Sequence, residues 1–203
     1  LHNIKLPAPA PYGIADTDES AILVLDAHTI ELPANLNTLT QADAVAYMRY
    51  LSVANRRGYT HRRITPDTLA RLEDGTAVIA GWLNGDSASG PANTALDKVQ
   101  LLALFAALIG VKPAVAAARE AWGDTTLTTL APFIQKVAVP SPTRALGTWD
   151  KQLLKELRDH INTIIDEETA ESAEPVTLAR FSWRSMITML LVIVAVVVVF
   201  TQL

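Results

Sequence analysis

Hydrophobic and polar positions change rhythm several times along the chain. Ala21–Asp26 (AILVLD) is a short apolar run bounded by polar residues, and its length predicts a buried strand. Before it, Leu1–Gly13 carries Pro7, Pro9 and Pro11 and predicts loop or extended backbone, and Asp16–Ser20 predicts a polar turn. Ile30–Pro33 predicts a strand end. Thr38 and Gln41 have the spacing of a capping box, and Ala44, Val45, Met48, Leu51 and Val53 then recur mostly on one face, predicting a helix to Arg57 closed by Gly58. Tyr59–Pro66 reads as loop. Arg71–Trp82 reads as a hairpin, with a strand into Leu72, a turn at Asp74-Gly75 and a strand over Thr76–Ile79.

The second half is helical. Leu83–Asn93 is rich in Gly, Ser, Asn and Pro and predicts a flexible loop. Asn93 or Thr94 then caps a helix, Ala95–Ile109, that is apolar nearly all round and therefore the buried centre of a helical unit. Further helices are predicted over Pro113–Trp122 and Leu127–Val137. In Trp149–Ile165, Leu153, Leu154, Leu157, Ile161, Ile164 and Ile165 recur at three and four, with Lys and Glu on the other face. That stripe suits packing within the domain or, alternatively, a dimer or partner surface. Asp166–Pro175 (DEETAESAEP) is acidic, small and free of aromatics, the composition of a linker.

The last segment changes the class of protein. Met186–Phe200 is a run of 15 residues without charge. With the three residues after it, the run reaches roughly the 17–20 residues that cross a bilayer. Arg180, Trp183 and Arg184 precede it, the pattern of a membrane interface, and the positive-inside tendency predicts residues 1–180 on the cytoplasmic face of the cell membrane. The bilayer is thus the first expected partner, with a protein partner or a further membrane domain the second.

Composition removes other classes. The formal net charge is −4 with mixed signs, and no basic tract points to nucleic acid. The chain has no cysteine, which excludes disulfides, thiolate metal sites and a cysteine nucleophile. Its four histidines lie far apart and match no metal spacing, so neither metal nor cofactor is expected. Arg56, Arg57, Arg62 and Arg63 form a basic cluster from helix end to loop. It serves either as dipole compensation on a solvated surface or as an anion site for lipid headgroups or an acidic partner segment.

The order strand, helix, His61 loop, hairpin, buried helix resembles the C-terminal lobe of the protein kinase and aminoglycoside-phosphotransferase superfamily, with the end of the small lobe before it. His61–Thr68 (HRRITPDT) aligns with the family pattern H-R-D-L-x-P-x-N, and the VIAGWL stretch aligns with the approach to D-F-G. Asp97 then matches the aspartate that supports the catalytic loop from behind. The departures decide the activity. Arg63 stands where the family has its catalytic aspartate, Thr68 where it has the metal-binding asparagine, and Gly81 where it has the D-F-G aspartate. Phosphoryl transfer needs a carboxylate to take the hydroxyl proton and oxygen ligands for Mg²⁺, and an arginine and a glycine supply neither. The resemblance implies a mostly α (α+β) fold and a pseudokinase without catalysis.

A second, architectural resemblance is to actinobacterial membrane proteins in which a kinase-like domain precedes a lysylphosphatidylglycerol-synthase-like, flippase-like region. On it, Met186 would start the first helix of a polytopic domain. The expected organisation is a small-lobe and hinge remnant (1–37), a kinase-like helical lobe (38–148), the amphipathic helix (149–165), an acidic linker (166–179) and a transmembrane segment (180–203). The functions left open are a membrane-tethered pseudokinase with a regulatory or assembly role in envelope-lipid transport, a tail-anchored helical scaffold, and a divergent phosphotransferase.

Overall fold

The computed structural model describes residues 36–164 without a break and, before them, Leu6, Pro11–Asp16, Ala21–Leu25 and Ile30–Glu31. The chain divides into two units, Leu1–Ala173 and Glu174–Leu203, and all described residues belong to the first. The acidic linker, the uncharged run Met186–Phe200 and its flanking Arg180, Trp183 and Arg184 lie outside the described residues.

Strand β1 (Pro11–Asp16) pairs antiparallel with β2 (Ala21–Leu25), in a register that sets Ile14 opposite Leu23 and slips once between Pro11 and Gly13. The sequence predicts loop or extended backbone and a polar turn where β1 lies, and a buried strand for β2, in which Ile22 is instead 54% exposed because only the β1 hairpin partner pairs with it. Pro11 concealed β1, yet it occupies the first strand position, where a missing ladder donor is tolerated. Strand β3 (Ile30–Glu31) belongs to a second sheet. It pairs with β4 (Leu69–Leu72), which in turn pairs with β5 (Ala77–Ile79), all antiparallel. The β4–β5 connection follows the expected hairpin. Gly75 N donates to Leu72 O at 2.8 Å, and Gly75 takes the left-handed φ of +82° that the turn requires. Asp74 Oδ1 accepts Thr76 N at 2.8 Å inside the turn.

Helix α1 (Gln41–Arg56) has the expected extent and a different cap. Leu36–Thr38 form a 3-10 turn, and Thr40, not Thr38, is the N-cap. Its Oγ1 accepts Asp43 N at 3.3 Å while Asp43 Oδ2 accepts Thr40 N at 2.8 Å. An aspartate does the work of the usual glutamate or glutamine, and its charge also suits the helix N-terminus. Arg71 of β4 binds the same carboxylate, tying the sheet to the start of α1.

Helix α2 (Pro91–Ile109) begins earlier than the predicted cap at Asn93 or Thr94, because Pro91 is pre-organised for a first helical position after Gly90. It is long and apolar enough to cross a membrane by length and composition. Here it is the core helix: Leu101, Leu102, Leu104 and Phe105 are fully buried. Tyr47 of α1 packs on Phe105 with ring centroids 5.7 Å apart and donates to Ala70 O at 2.8 Å, so burial raises its hydroxyl pKa to about 12. Helix α3 (Val111–Trp122) packs most extensively on α1, buries Ala114, Ala117 and Ala118, and Trp122 Nε1 donates to Met48 O at 3.0 Å.

Helix α4 (Asp124–Leu130) is shorter than the predicted Leu127–Val137. Pro132 cannot donate within a continuing helix, and the chain passes into 3-10 turns at Ala131–Phe133 and Lys136–Ala138. A single turn, α5 (Ser141–Arg144), leads to α6 (Leu153–Asn162), which starts later than Trp149. Leu153, Leu157 and Ile161 are buried against the rest of the domain, α3 and α2 foremost. Its apolar stripe is therefore an internal packing face, not an unpartnered one.

Candidate functional site

The loop Thr60–Thr68 is held from inside by two polar residues of α2. Asp97 is fully buried, and its carboxylate accepts His61 N at 2.6 Å and Arg62 N at 2.8 Å. Burial raises the pKa of Asp97, and the two backbone N–H groups pull it back part of the way. One helical turn on, Gln100 Oε1 accepts Ile64 N at 2.8 Å and Nε2 donates to Arg62 O at 3.4 Å. Arg62 is thus gripped on both sides of its backbone in a left-handed conformation, φ +67°, that a non-glycine residue adopts at a cost.

His61 is the hub of the loop. Its side chain is buried, Nε2 donates to Ala80 O at 2.7 Å, and Nδ1 accepts Arg63 N at 3.3 Å. A carbonyl can only accept, so the proton sits on Nε2 and the ring is neutral. Burial lowers its pKa in the same direction. The imidazole stands edge-on to the Trp82 indole, centroids 4.9 Å apart at 70°. Trp82 is fixed by Nε1 donating to Ile79 O.

The five aligned positions divide between two roles. His61, Thr68, Gly81 and Asp97 come together. A Cβ on Gly81 would lie 3.4 Å from Thr68 Cγ2 and 4.0 Å from His61 Nε2. Thr68 turns inward: Oγ1 donates to Thr65 O at 2.8 Å and accepts Thr65 N at 3.1 Å, closing the 3-10 turn Pro66–Thr68. Gly81 has φ +78°, a left-handed turn out of β5 into the 3-10 turn Trp82–Asn84. Arg63 belongs elsewhere. Its side chain is exposed and lines an open cleft of about 640 Å³ together with Arg62, Asn84, Gln100, Val137, Pro140, Ser141 and Pro142. Arg56 and Arg57, at the exposed end of α1, do not line that cleft, so the basic cluster read in the sequence is split in two.

Sequence reasoning missed three parts. Gln100 was one, although a second polar residue three positions after Asp97 in an apolar helix was a signal that both serve one buried purpose. The edge-on contact of His61 with Trp82 was another. The third is the Leu83–Asn93 segment, expected to be flexible, which is stapled back onto the loop. Thr60 and Asp86 exchange backbone hydrogen bonds at 3.0 and 2.9 Å, Ser89 N donates to Gly58 O at 3.0 Å, and the Thr60 and Ser89 hydroxyls lie 2.6 Å apart. Among the described residues, no group of three His, Cys, Asp or Glu side chains is placed to hold a metal. No protein-family model and no curated protein matches this chain.

Proposed function

We propose that this domain is a non-catalytic, kinase-like module that serves a regulatory or assembly role in a membrane protein. The observation that carries the reading is the buried Asp97 carboxylate accepting the backbone of His61 and Arg62. A loop anchored this way keeps a fixed shape whatever its exposed side chains are. The His61–Trp82 contact and the approach of Gly81 to Thr68 add to it, because they place the aligned positions side by side. The chemistry at those positions argues for binding over transfer. A guanidinium at Arg63 accepts no proton, the Thr68 hydroxyl is already committed to Thr65, and Gly81 offers no oxygen. The membrane tether rests on the sequence of Met186–Phe200 and its Arg180, Trp183 and Arg184 flank, and the role in envelope-lipid transport rests on the architectural resemblance.

A thermal-unfolding series with ATP and Mg²⁺ tests the reading. Binding to the folded state alone, at a hundred times Kd, would add about 2.7 kcal/mol of stability and raise Tm by several degrees. No shift is expected. A Mg²⁺-dependent rise in Tm, with phosphate transferred to any acceptor, would replace this reading with a divergent phosphotransferase.

A further inference from the structure

The cleft bordered by Arg62 and Arg63 has three properties that the loop scaffold does not require. First, its charge is all of one sign. No carboxylate lines it, although the chain as a whole is acidic. Second, its cations are available. Arg63 has no side-chain partner among the described residues, and Arg62 meets only Asp86, at 3.9 Å with both side chains about half exposed. Such an exposed and distant pair holds its partner weakly. Third, part of its lining is apolar. Val137 is 74% exposed beside Pro140 and Pro142, and Leu83, next to the lining residue Asn84, is 98% exposed.

We propose that this cleft docks an acidic protein segment that carries an apolar side chain beside its carboxylates. Guanidinium groups recognise carboxylates through paired N–H donors. The backbone that carries the pair is held, because Arg62 N and O are gripped by Asp97 and Gln100. The apolar lining would be wasted on a free anion. A concave cleft, in turn, is the wrong shape for the flat plane of a bilayer, while an extended peptide can set a leucine or isoleucine on Val137 and its carboxylates on the arginines. The proposal stands on the geometry of the cleft and does not depend on the kinase-like reading; its test contains no nucleotide.

The test uses the full chain in zwitterionic nanodiscs and a fluorescein-labelled peptide of mixed glutamate and leucine, followed by anisotropy at low salt. The glutamate peptide should bind and its glutamine counterpart should not. Arg63→Ala should weaken binding about tenfold, in line with loss of a charged hydrogen-bond pair. Val137→Ser should also weaken it, whereas Arg56→Ala, outside the cleft, should leave it unchanged. Arg63, Val137 and Arg56 are all exposed, so these variants keep the fold, which circular dichroism checks. The proposal is overturned if the peptide does not bind, if Arg56→Ala weakens binding as much as Arg63→Ala, or if short-chain phosphatidylglycerol binds through Arg63 while the peptide is ignored.

Discussion

Asp97 and Arg62 lie 35 residues apart in sequence, yet the Asp97 carboxylate receives the Arg62 backbone N–H at 2.8 Å and holds that residue at φ +67°. A buried anion thus maintains a strained turn, and the exposed Arg62 and Arg63 side chains inherit their position from it.

Removing the anchor should cost more than any surface change. Asp97→Ala leaves the buried N–H of His61 and the N–H of Arg62 without their acceptor, and roughly 2–4 kcal/mol of stability should be lost. Asp97→Asn keeps one acceptor oxygen and should cost less. Urea unfolding in nonionic detergent, followed by circular dichroism, checks both. If Asp97→Ala and Asp97→Asn unfold at the same midpoint as the parent chain, the carboxylate is not the anchor.

The strain at Arg62 has its own signature. A left-handed φ penalises any residue with a Cβ by about 1–2 kcal/mol, and glycine escapes it. Arg62→Gly should therefore be more stable than Arg62→Ala by about 1 kcal/mol, even though glycine usually lowers stability. The same denaturation assay reads this, and an alanine variant as stable as the glycine variant would contradict it.

Gly81 gives the converse case. At φ +78° a side chain is strained even though its Cβ would find only ordinary contact at 3.4 Å from Thr68 Cγ2. Gly81→Ala should lose about 1–2 kcal/mol through backbone conformation, not through a clash. Gly81→Asp should lose less, because aspartate visits the left-handed region more readily than alanine, and restoring the aligned carboxylate alone should give no nucleotide-dependent gain in Tm. A stability equal to the parent would show that the turn relaxes.

Acid should loosen the loop through His61. Burial holds its imidazole below the ordinary histidine range, while the Ala80 carbonyl, Asp97 and Asp67 oppose this in part. Below about pH 6.5 the unfolded chain then binds more protons than the folded one at this site, so stability falls as the pH falls through that range. Protonation also fills Nδ1 and ends its acceptance of Arg63 N. Asp97 acts in the opposite sense, its raised pKa letting the folded state hold a proton that the unfolded state releases as the pH rises. His61→Gln removes the titration while keeping an amide donor for Ala80. Urea midpoints between about pH 7.5 and 5.5 should drop more steeply in the parent than in His61→Gln. Parallel slopes would assign the acid sensitivity to other groups.

Local rules made much of this domain legible. The α1 periodicity, the Asp74-Gly75 turn of the β4–β5 hairpin and the all-round apolarity of α2 each follow from short-range pattern, and each has the structure that pattern implies. Where local signals competed, the choice was made by geometry. Thr38 has the capping-box spacing for α1, but it belongs to the 3-10 turn Leu36–Thr38, and Thr40, with extended backbone, is the cap. Pro11 argued against a strand that β2 nevertheless recruits, and Pro132 ended α4 sooner than its apolar run suggested.

By itself, the sequence determined the buried faces of α1 and α2 and the Asp74-Gly75 turn, because helical period and turn chemistry are properties of neighbours, but not the burial of β2, where Ile22 is 54% exposed. It also determined that neither Arg63 nor Gly81 offers a carboxylate, because side-chain chemistry is fixed by residue type. Only the tertiary structure decided what Asp97 and Gln100 are for, since their partners lie in a loop brought to them by the packing of α2 against α1. It alone also separated Arg62 and Arg63 from Arg56 and Arg57. Of the four arginines close in sequence, only Arg62 and Arg63 line the cleft.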